Sequence, residues 1–476
     1  MASSLLTHTN PSSCFDAIRP PNNATGTNAS TRAKVLPGAT DYSFQIFSEL
    51  HEFAARCMRQ TPYNEALSLS PSLSPALYLQ HLQQAALDLV PDYVDQCLAN
   101  RAQNDGELKL DRIDVEHLPP SQISGRGNFY FSTVSSLTHF SQQLQYLVEN
   151  SLLPIEFLEL SFVYEKRIVP FIIDYFEPGC VVDAGDGCGA GVRYNFYMLP
   201  PWMIELTQGT WNRLLYHPAP PPPARNIASP FALNPDLPFD AIESAYHAGS
   251  VLAIDNFLTP AALHQLRHLS LTSTTFFDAK SGGYLGAYLD DGLTSPWITA
   301  LARELQERLP TVIGGLSLMQ AWMYKYEEGG TEGGGGGIKV HADQAAVNLN
   351  IWITPDDANL NPASGGLVVY NKKPVGDAME DGVLGDEDFL AWNNILHEDD
   401  MKSYLGDAER VTVEYRQNRC VLFDSSLLHE TDTFEFKRGY ENRRVNLTFL
   451  FGRTGERAAG GQREASSAPD FKLVNV

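Results

Sequence analysis

Between residues 318 and 452 the chain repeats one pattern: a short apolar run, then a turn. The runs are LMQAWMYKYEEGG, VNLNIWIT, GGLVVYN, ERVTVEYR, RCVLFDSS and RRVNLTFLFG. They are rich in β-branched and aromatic residues, and polar turn residues or glycine close them. A strand turns alternate side chains to opposite faces. Many short strands can therefore bury their apolar faces only against one another. This density of strands predicts a sandwich or barrel, and no internal repeat accompanies it.

The chain ahead of these strands has a different texture. DYSFQIFSELHEFAARCMRQ and SPALYLQHLQQAALDLVPDYVDQCLANRA, within residues 41–105, space their apolar residues by three and four and predict helices. SSLTHFSQQLQYLVENSL predicts a third, capped at Ser135 or Ser136. LPIEFLELSFVYEKRIVPFIIDYF reads equally as helix or strand. HPAPPPPARN, residues 217–226, is a stiff, donor-poor linker and a natural boundary. Beyond it, VLAIDNFLTPAALHQLRHL predicts a strand and then a helix capped near Thr259 with Pro260 at its start. SPWITALARELQERLP predicts another helix.

The expected fold class is α+β. A tail over 1–40 precedes a mainly helical N-terminal region over 41–216. The linker occupies 217–230, the β domain with flanking helices 231–456, and a C-terminal tail 457–476. GGTEGGGGG (329–337) and the acidic stretch 374–409 read as insertions, the second as a loop over the site.

Charge excludes some functions. The chain carries 57 acidic and 34 basic residues, a formal net charge of -23. That field repels polyanions, so no nucleic-acid partner is expected. No run of 18 or more apolar residues marks a membrane span. Six cysteines, Cys14, Cys57, Cys97, Cys180, Cys188 and Cys420, form no CxxC pair. They read as free thiols in a reducing compartment. The first 40 residues lack a secretory apolar core and read as a disordered tail rather than an organellar transit peptide. The cytoplasm is the expected location, and the sequence assigns no oligomeric state.

IKVHADQAAVNLNIWIT (338–354) holds His341 and Asp343 one residue apart, ahead of a predicted strand. Residues i and i+2 share a face, so both side chains can reach one ion. A third ligand is available at His429, just after the strand in RCVLFDSS. Its rival, His397, lies in the acidic stretch with no strand before it. Two imidazoles and one carboxylate suit ferrous iron and leave three adjacent positions open. In RRVNLTFLFG, Arg444, Asn446 and Thr448 share one strand face, and Val445, Leu447, Phe449 and Phe451 the other. Arg443 is the alternative inward arginine. A buried arginine must meet an anion, and a guanidinium offers a carboxylate a two-pronged fork. Asn348, Asn350 and Trp352 would face a pocket.

The order HxD, distal histidine, then Arg-x-Asn on the last strand resembles the iron(II)/2-oxoglutarate-dependent dioxygenases. MYKYEEGG ahead of HAD is similar to the Tyr-x-x-Gly lead-in of their prolyl-4-hydroxylase-like branch. RVNLTF also resembles the end of the nucleobase-demethylating branch, which has a second arginine where this chain has Leu450. The resemblance covers roughly residues 248–455. It implies a C-terminal double-stranded β-helix (jelly-roll, cupin-like). It implies Fe(II) on His341, Asp343 and His429, and 2-oxoglutarate held by Arg444 with Asn446 and Tyr326 or Tyr324. It implies O2 as oxidant, ascorbate as a stimulant, and release of succinate and CO2 as a small metabolite or peptidyl residue is hydroxylated. The carboxylate ligand argues against a halogenase. Asp343 and His429 stand 86 residues apart, a spacing the acidic insertion explains.

Two other readings remain. VVDAGDGCGAG (181–191) resembles the first motif of a nucleotide-binding methyltransferase, with Asp183, Gly185, Gly187 and Gly189. Too little chain follows for the strands and helices of such a fold, so a glycine-rich turn is expected there. The second is a non-catalytic scaffold: a helical interaction domain joined to a β-helix that only binds.

Overall fold

The structure is a computed structural model. It describes residues 112–113, 131–176, 190–193, 196–198, 207, 215–218, 232–276, 278–280, 282–289, 293, 295–327, 337–374, 398–458 and 471–476. The predicted helices of 41–105, the glycine-rich turn from 181 to 189, His397 and most of both insertions lie outside them. The chain forms two compact units, one built chiefly from residues before 218 and one chiefly from those after.

In the first unit, β1 (Arg112–Ile113), β3 (Phe196–Met198) and β2 (Phe131–Ser132) pair in the order β1-β3-β2. Helix α1 (Val134–Glu149) follows β2. Its cap is Thr133 rather than Ser135 or Ser136. Thr133 Oγ1 accepts from Ser136 N at 3.0 Å, and Ser136 Oγ accepts from Thr133 N at 3.0 Å. The reciprocal pair satisfies two donors that the first helical turn leaves open. The ambiguous stretch after it is helical: α2 (Glu156–Val163), one π turn (Tyr164–Ile168) and α3 (Val169–Phe176). Pro170 has no N–H and crowds the preceding turn, and the wider π turn sits where an α turn would clash. A short α4 (Ala190–Arg193) precedes β3.

The second unit opens with α5 (Phe239–His247), β4 (Val251–Ile254) and α6 (Pro260–Thr272). Thr259 Oγ1 accepts from Ala262 N at 3.3 Å, as its position before Pro260 predicts. Then come β5 (Asp278–Lys280), β6 (Tyr284–Tyr288) and α7 (Pro296–Arg308), whose first turn Ser295 caps through Trp297 N. The six strands predicted over 318–452 all form: β7 (Leu318–Tyr326), β8 (Val347–Trp352), β9 (Leu367–Tyr370), β10 (Arg410–Val413), β11 (Cys420–Asp424) and β13 (Val445–Phe451). Three features of this unit depart from the sequence reading. His429 follows the predicted strand, β11, but also begins a further one that the sequence reading did not name, β12 (His429–Thr431). The expected C-terminal tail holds β14 (Leu473–Asn475), which pairs parallel to β4. The end of the acidic stretch forms α8 (Glu398–Leu405) with Met401 buried, so this part is packed rather than a free loop.

The main sheet runs β14-β4-β11-β8-β13-β7-β6-β5, and the second β10-β9-β12. Residues 338–341 extend the second sheet along the free side of β12. His341 N donates to His429 O at 2.9 Å, His429 N to His341 O at 2.7 Å, and Thr431 N to Ile338 O at 3.0 Å. From β7 onward the chain passes between the sheets repeatedly, and every pairing from β7 to β13 is antiparallel. That winding is a double-stranded β-helix. The core between the sheets includes Tyr326, Trp352 and Phe423 from the main sheet and Leu367, Val369 and Val413 from the second.

Candidate metal and co-substrate site

Pairing residues 338–341 with β12 sets His341 directly against His429, with ring centroids 4.3 Å apart. Asp343 lies two residues on, where its backbone N–H leaves the ladder and donates to Ser425 O at 3.2 Å. Its carboxylate oxygens lie 3.6 Å from His341 Nε2 and 3.4 Å from His429 Nε2. The ligand atoms of the three residues all fall within 4.8 Å of one another, and they are the only such group among the described residues.

Each imidazole is oriented from behind. His341 Nδ1 faces Lys339 O at 2.8 Å, and His429 Nδ1 faces Leu427 O at 2.9 Å. A carbonyl only accepts, so Nδ1 carries a proton and Nε2 is left facing the point that the three side chains share. Burial first, and then His429 beside it, push His341 down to about 4. It therefore stays neutral at ordinary pH, as a ligand must. Burial alone would raise the Asp343 carboxyl. The histidines and the Asn348 amide outweigh it and hold the group below its usual range.

Asp343 is held from behind in turn by side chains of the main sheet. Asn348 Nδ2 donates to Asp343 Oδ2 at 2.7 Å, and Asn350 Nδ2 to Asn348 Oδ1 at 2.7 Å. Thr448 Oγ1 donates to Asn350 Oδ1 at 2.8 Å, and Asn446 Nδ2 contacts Thr448 Oγ1 at 3.1 Å. The register sets Asn350 opposite Thr448 and Trp352 opposite Asn446, which makes this chain continuous across two strands. Asn350 and Trp352 line the cavity, and Asn348 is fully buried behind Asp343.

The cavity, about 180 Å³, is lined by the three ligands and by Arg444, Asn446 and Thr448, among others. Arg443 and Arg444 are both buried. Arg443 donates to Tyr326 O at 3.2 Å and does not line the cavity. Arg444 does, and its guanidinium carbon lies 4.5 Å from the Tyr326 ring and 5.9 Å from the Trp352 ring. The expected two-pronged fork is partly spent: Nε donates to Gly365 O at 2.8 Å and Nη2 to Gly366 O at 3.1 Å. These carbonyls depend on glycine. Gly365 has φ +88°, and a Cβ on Gly366 would lie 1.8 Å from Val413 O. Arg444 Nη1 and Asn446 Oδ1 are buried without partners. A donor of this kind on a buried cation requires an anion or another acceptor.

Tyr326 and Tyr324 both line the cavity. Tyr326 OH lies 3.2 Å from Thr431 Oγ1, which accepts from Ile338 N at 3.1 Å. Tyr324 OH instead pairs with Tyr288 OH at 2.9 Å. The sequence reading did not select Thr431, Tyr284, Trp322 or Lys280, which also line the cavity. The alternation of Trp322, Tyr324 and Tyr326 along β7 places all three on one face, and that signal was available for Trp322. Tyr284 and Lys280 sit on short strands with no periodicity to mark them.

The residues suit the implied groups. Neutral imidazoles and a carboxylate are a ferrous donor set, and the orphaned Arg444 Nη1 fits a dicarboxylate co-substrate.

No family model and no curated protein match the chain. Solved structures do. A Pseudomonas putida prolyl-4-hydroxylase matches at 14% identity and TM-score 0.30, over 45% of this chain and 99% of that one. A Trichoplax adhaerens prolyl hydroxylase, in complex with a hypoxia inducible factor oxygen degradation domain peptide fragment, matches at 16% and 0.30, over 48% and 94%. The non-heme alpha ketoglutarate dependent carbocyclase SnoK from nogalamycin biosynthesis matches at 14% and 0.32, over 46% and 85%. At these scores the functional reading rests on the site's own geometry.

Proposed function

We propose that this chain is an Fe(II)- and 2-oxoglutarate-dependent oxygenase that hydroxylates a C–H bond of a small metabolite or peptidyl residue. One juxtaposition carries the reading. Two carbonyl-locked histidines and an amide-locked aspartate converge on one point, and a buried arginine with an unused donor lines the same cavity.

His341, Asp343 and His429 would hold the iron and leave three positions open. Arg444 Nη1 would bind the far carboxylate of 2-oxoglutarate, with the Thr431 and Tyr326 hydroxyls beside it. Iron and 2-oxoglutarate, once bound, would supply the oxidising power for the hydroxylation, with succinate and CO2 as the co-products. The asparagine and threonine chain would keep Asp343 from rotating as ligands exchange. The buried rings around the cavity would exclude water.

The test is succinate formation. The full chain, purified anaerobically, is given Fe(II), ascorbate and 2-oxoglutarate, with and without cell extract. Succinate should appear, rise with extract, and vanish in His341→Ala. If the chain binds neither iron nor 2-oxoglutarate by calorimetry, the reading fails and a binding role takes its place.

A further inference from the structure

Among the described residues, three buried polar side-chain atoms without a hydrogen-bond partner belong to residues lining this one cavity: Trp322 Nε1, Asn446 Oδ1 and Arg444 Nη1. A buried polar atom left in that state is costly, so each calls for a ligand group of the opposite kind. The pairing of β7 with β13 sets Thr448 opposite Trp322 and Asn446 opposite Tyr324. Trp322 and Asn446 are therefore diagonal neighbours, about 7–8 Å apart at the backbone. Arg444 shares the strand face of Asn446, two residues before it. Across the sheet the unanswered atoms run donor, acceptor, donor.

The acceptor in the middle is fixed from the far end of a hydrogen-bond chain. The Asp343 carboxylate only accepts, so Asn348 must turn Nδ2 to it, at 2.7 Å. Asn348 Oδ1 then accepts from Asn350 Nδ2 at 2.7 Å, which turns Asn350 Oδ1 toward β13. There Thr448 Oγ1 donates to it at 2.8 Å and Asn446 Nδ2 at 3.4 Å. Asn446 Nδ2 gives its other hydrogen to Thr448 Oγ1 at 3.1 Å. Both hydrogens of this amide are spent, which leaves Asn446 no donor for the carboxylate of 2-oxoglutarate. It keeps Oδ1, and ionised 2-oxoglutarate has no donor to offer in return.

The far carboxylate of 2-oxoglutarate answers Arg444 Nη1 and leaves the other two atoms unanswered. We infer that Trp322 and Asn446 form the primary-substrate subsite and read a secondary carboxamide. Its N–H donates to Asn446 Oδ1, and its carbonyl accepts from Trp322 Nε1. A hydroxyl carries both functions on one atom. An amide spreads them along a plane, which suits two side chains on different strands. With Arg444 reserved for 2-oxoglutarate, the subsite rests on the oxygenase reading.

The test uses the full chain with redox-inert Zn(II) and 2-oxoglutarate, titrated with phenyl probes and followed by saturation-transfer NMR. N-methylbenzamide carries the donor and the acceptor. N,N-dimethylbenzamide keeps the acceptor alone, benzyl alcohol puts both functions on one oxygen, and ethylbenzene has neither. N-methylbenzamide should bind about tenfold or more tighter than each of the others, the loss that one unanswered hydrogen bond brings. Asn446→Leu should erase its advantage over N,N-dimethylbenzamide. Trp322→Phe keeps a ring and removes the N–H. It should weaken both amides about tenfold while leaving their ratio and ethylbenzene binding unmoved, whereas lost packing would weaken ethylbenzene too. Should Asn446→Leu fail to fold, the wild-type ratio and Trp322→Phe still decide. N,N-dimethylbenzamide or benzyl alcohol binding as well as N-methylbenzamide overturns the inference, and a water bridging the two atoms would give that result. An amide ratio unmoved in Asn446→Leu, or ethylbenzene weakened as much as the amides in Trp322→Phe, overturns it as well. Parallel assays of 2-oxoglutarate binding and succinate separate the two claims. Succinate without the amide preference leaves the oxygenase and removes this subsite. The amide preference without succinate, iron binding or 2-oxoglutarate binding removes the oxygenase and leaves an amide-binding site.

Discussion

His341 carries the clearest single-residue consequence. Its ordinary value of 6.5 falls to about 4 in the folded chain, through burial and then the neighbouring His429. The folded value lies below the unfolded one, so between them the unfolded chain binds more protons. The stabilisation is whole above about 6.5 and is lost as pH falls toward about 4. Asp343, held below its usual range, adds a further loss at lower pH, in the same direction. The melting temperature of the metal-free chain should therefore fall steadily from pH 7 to pH 4. His341→Asn should flatten that slope, as followed by scanning calorimetry. An unchanged slope in the variant would show that the titrating group lies elsewhere. Residue-level legibility divides along the same line. HxD and Arg-x-Asn could be read because spacing puts their side chains on one face. Thr431 and Lys280 could not, because nothing local marks the far ends of a cavity.

At the scale of elements, α8 is the informative case. Its Met401 and Leu405 pack with Ala342 and Leu428, and each of those two adjoins a histidine ligand. The helix therefore braces the back of the candidate metal site from within a stretch whose acidity suggested a loop. Leu405→Ala should cost about 2–5 kcal/mol of stability, as buried leucines do, and should weaken Zn(II) or Fe(II) binding as well. Urea unfolding and metal titration measure the two effects. Stability lost with metal affinity intact would mean that α8 supports the fold without setting the ligands. Strands β7, β8 and β13 were legible because their alternation is long. Strands β5, β12 and β14 have three residues each, too few to show a period.

For the second unit as a whole, closure depends on its last residues. β14 covers the outer edge of β4, with Val251 N donating to Lys472 O at 2.9 Å and Asp255 N to Val476 O at 3.1 Å. Phe471 joins the same core as Tyr326 and Trp352. Phe471→Ala should cost about 3–5 kcal/mol. Deleting 473–476 should expose the β4 edge and promote aggregation, as seen by light scattering. A truncated chain that melts and scatters like the parent would rule out that role. Charge also reads differently at this scale. A net -23 describes the chain's outer field. Among the described residues that line the cavity, Lys280 and Arg444 are basic and Asp343 is the only acid.

The order of polar residues along the chain marked the candidate ligand set, because HxD, His and Arg-x-Asn carry their chemistry in residue type and strand-face spacing. Alternation determined six strands and hence a two-sheet β fold, since period 2 can bury one face only against another sheet. The tertiary structure alone decided the rest. Pairing residues 338–341 with β12 brought two histidines 88 residues apart into contact. The Gly365 and Gly366 carbonyls took two of the Arg444 donors and left Nη1 buried without a hydrogen-bond partner. The register of β6 on β7 set Tyr284 opposite Tyr326 and Tyr288 opposite Trp322, though the sequence reading named no strand at β6. Such contacts depend on hydrogen-bond register between distant segments, and no local property of a sequence specifies register.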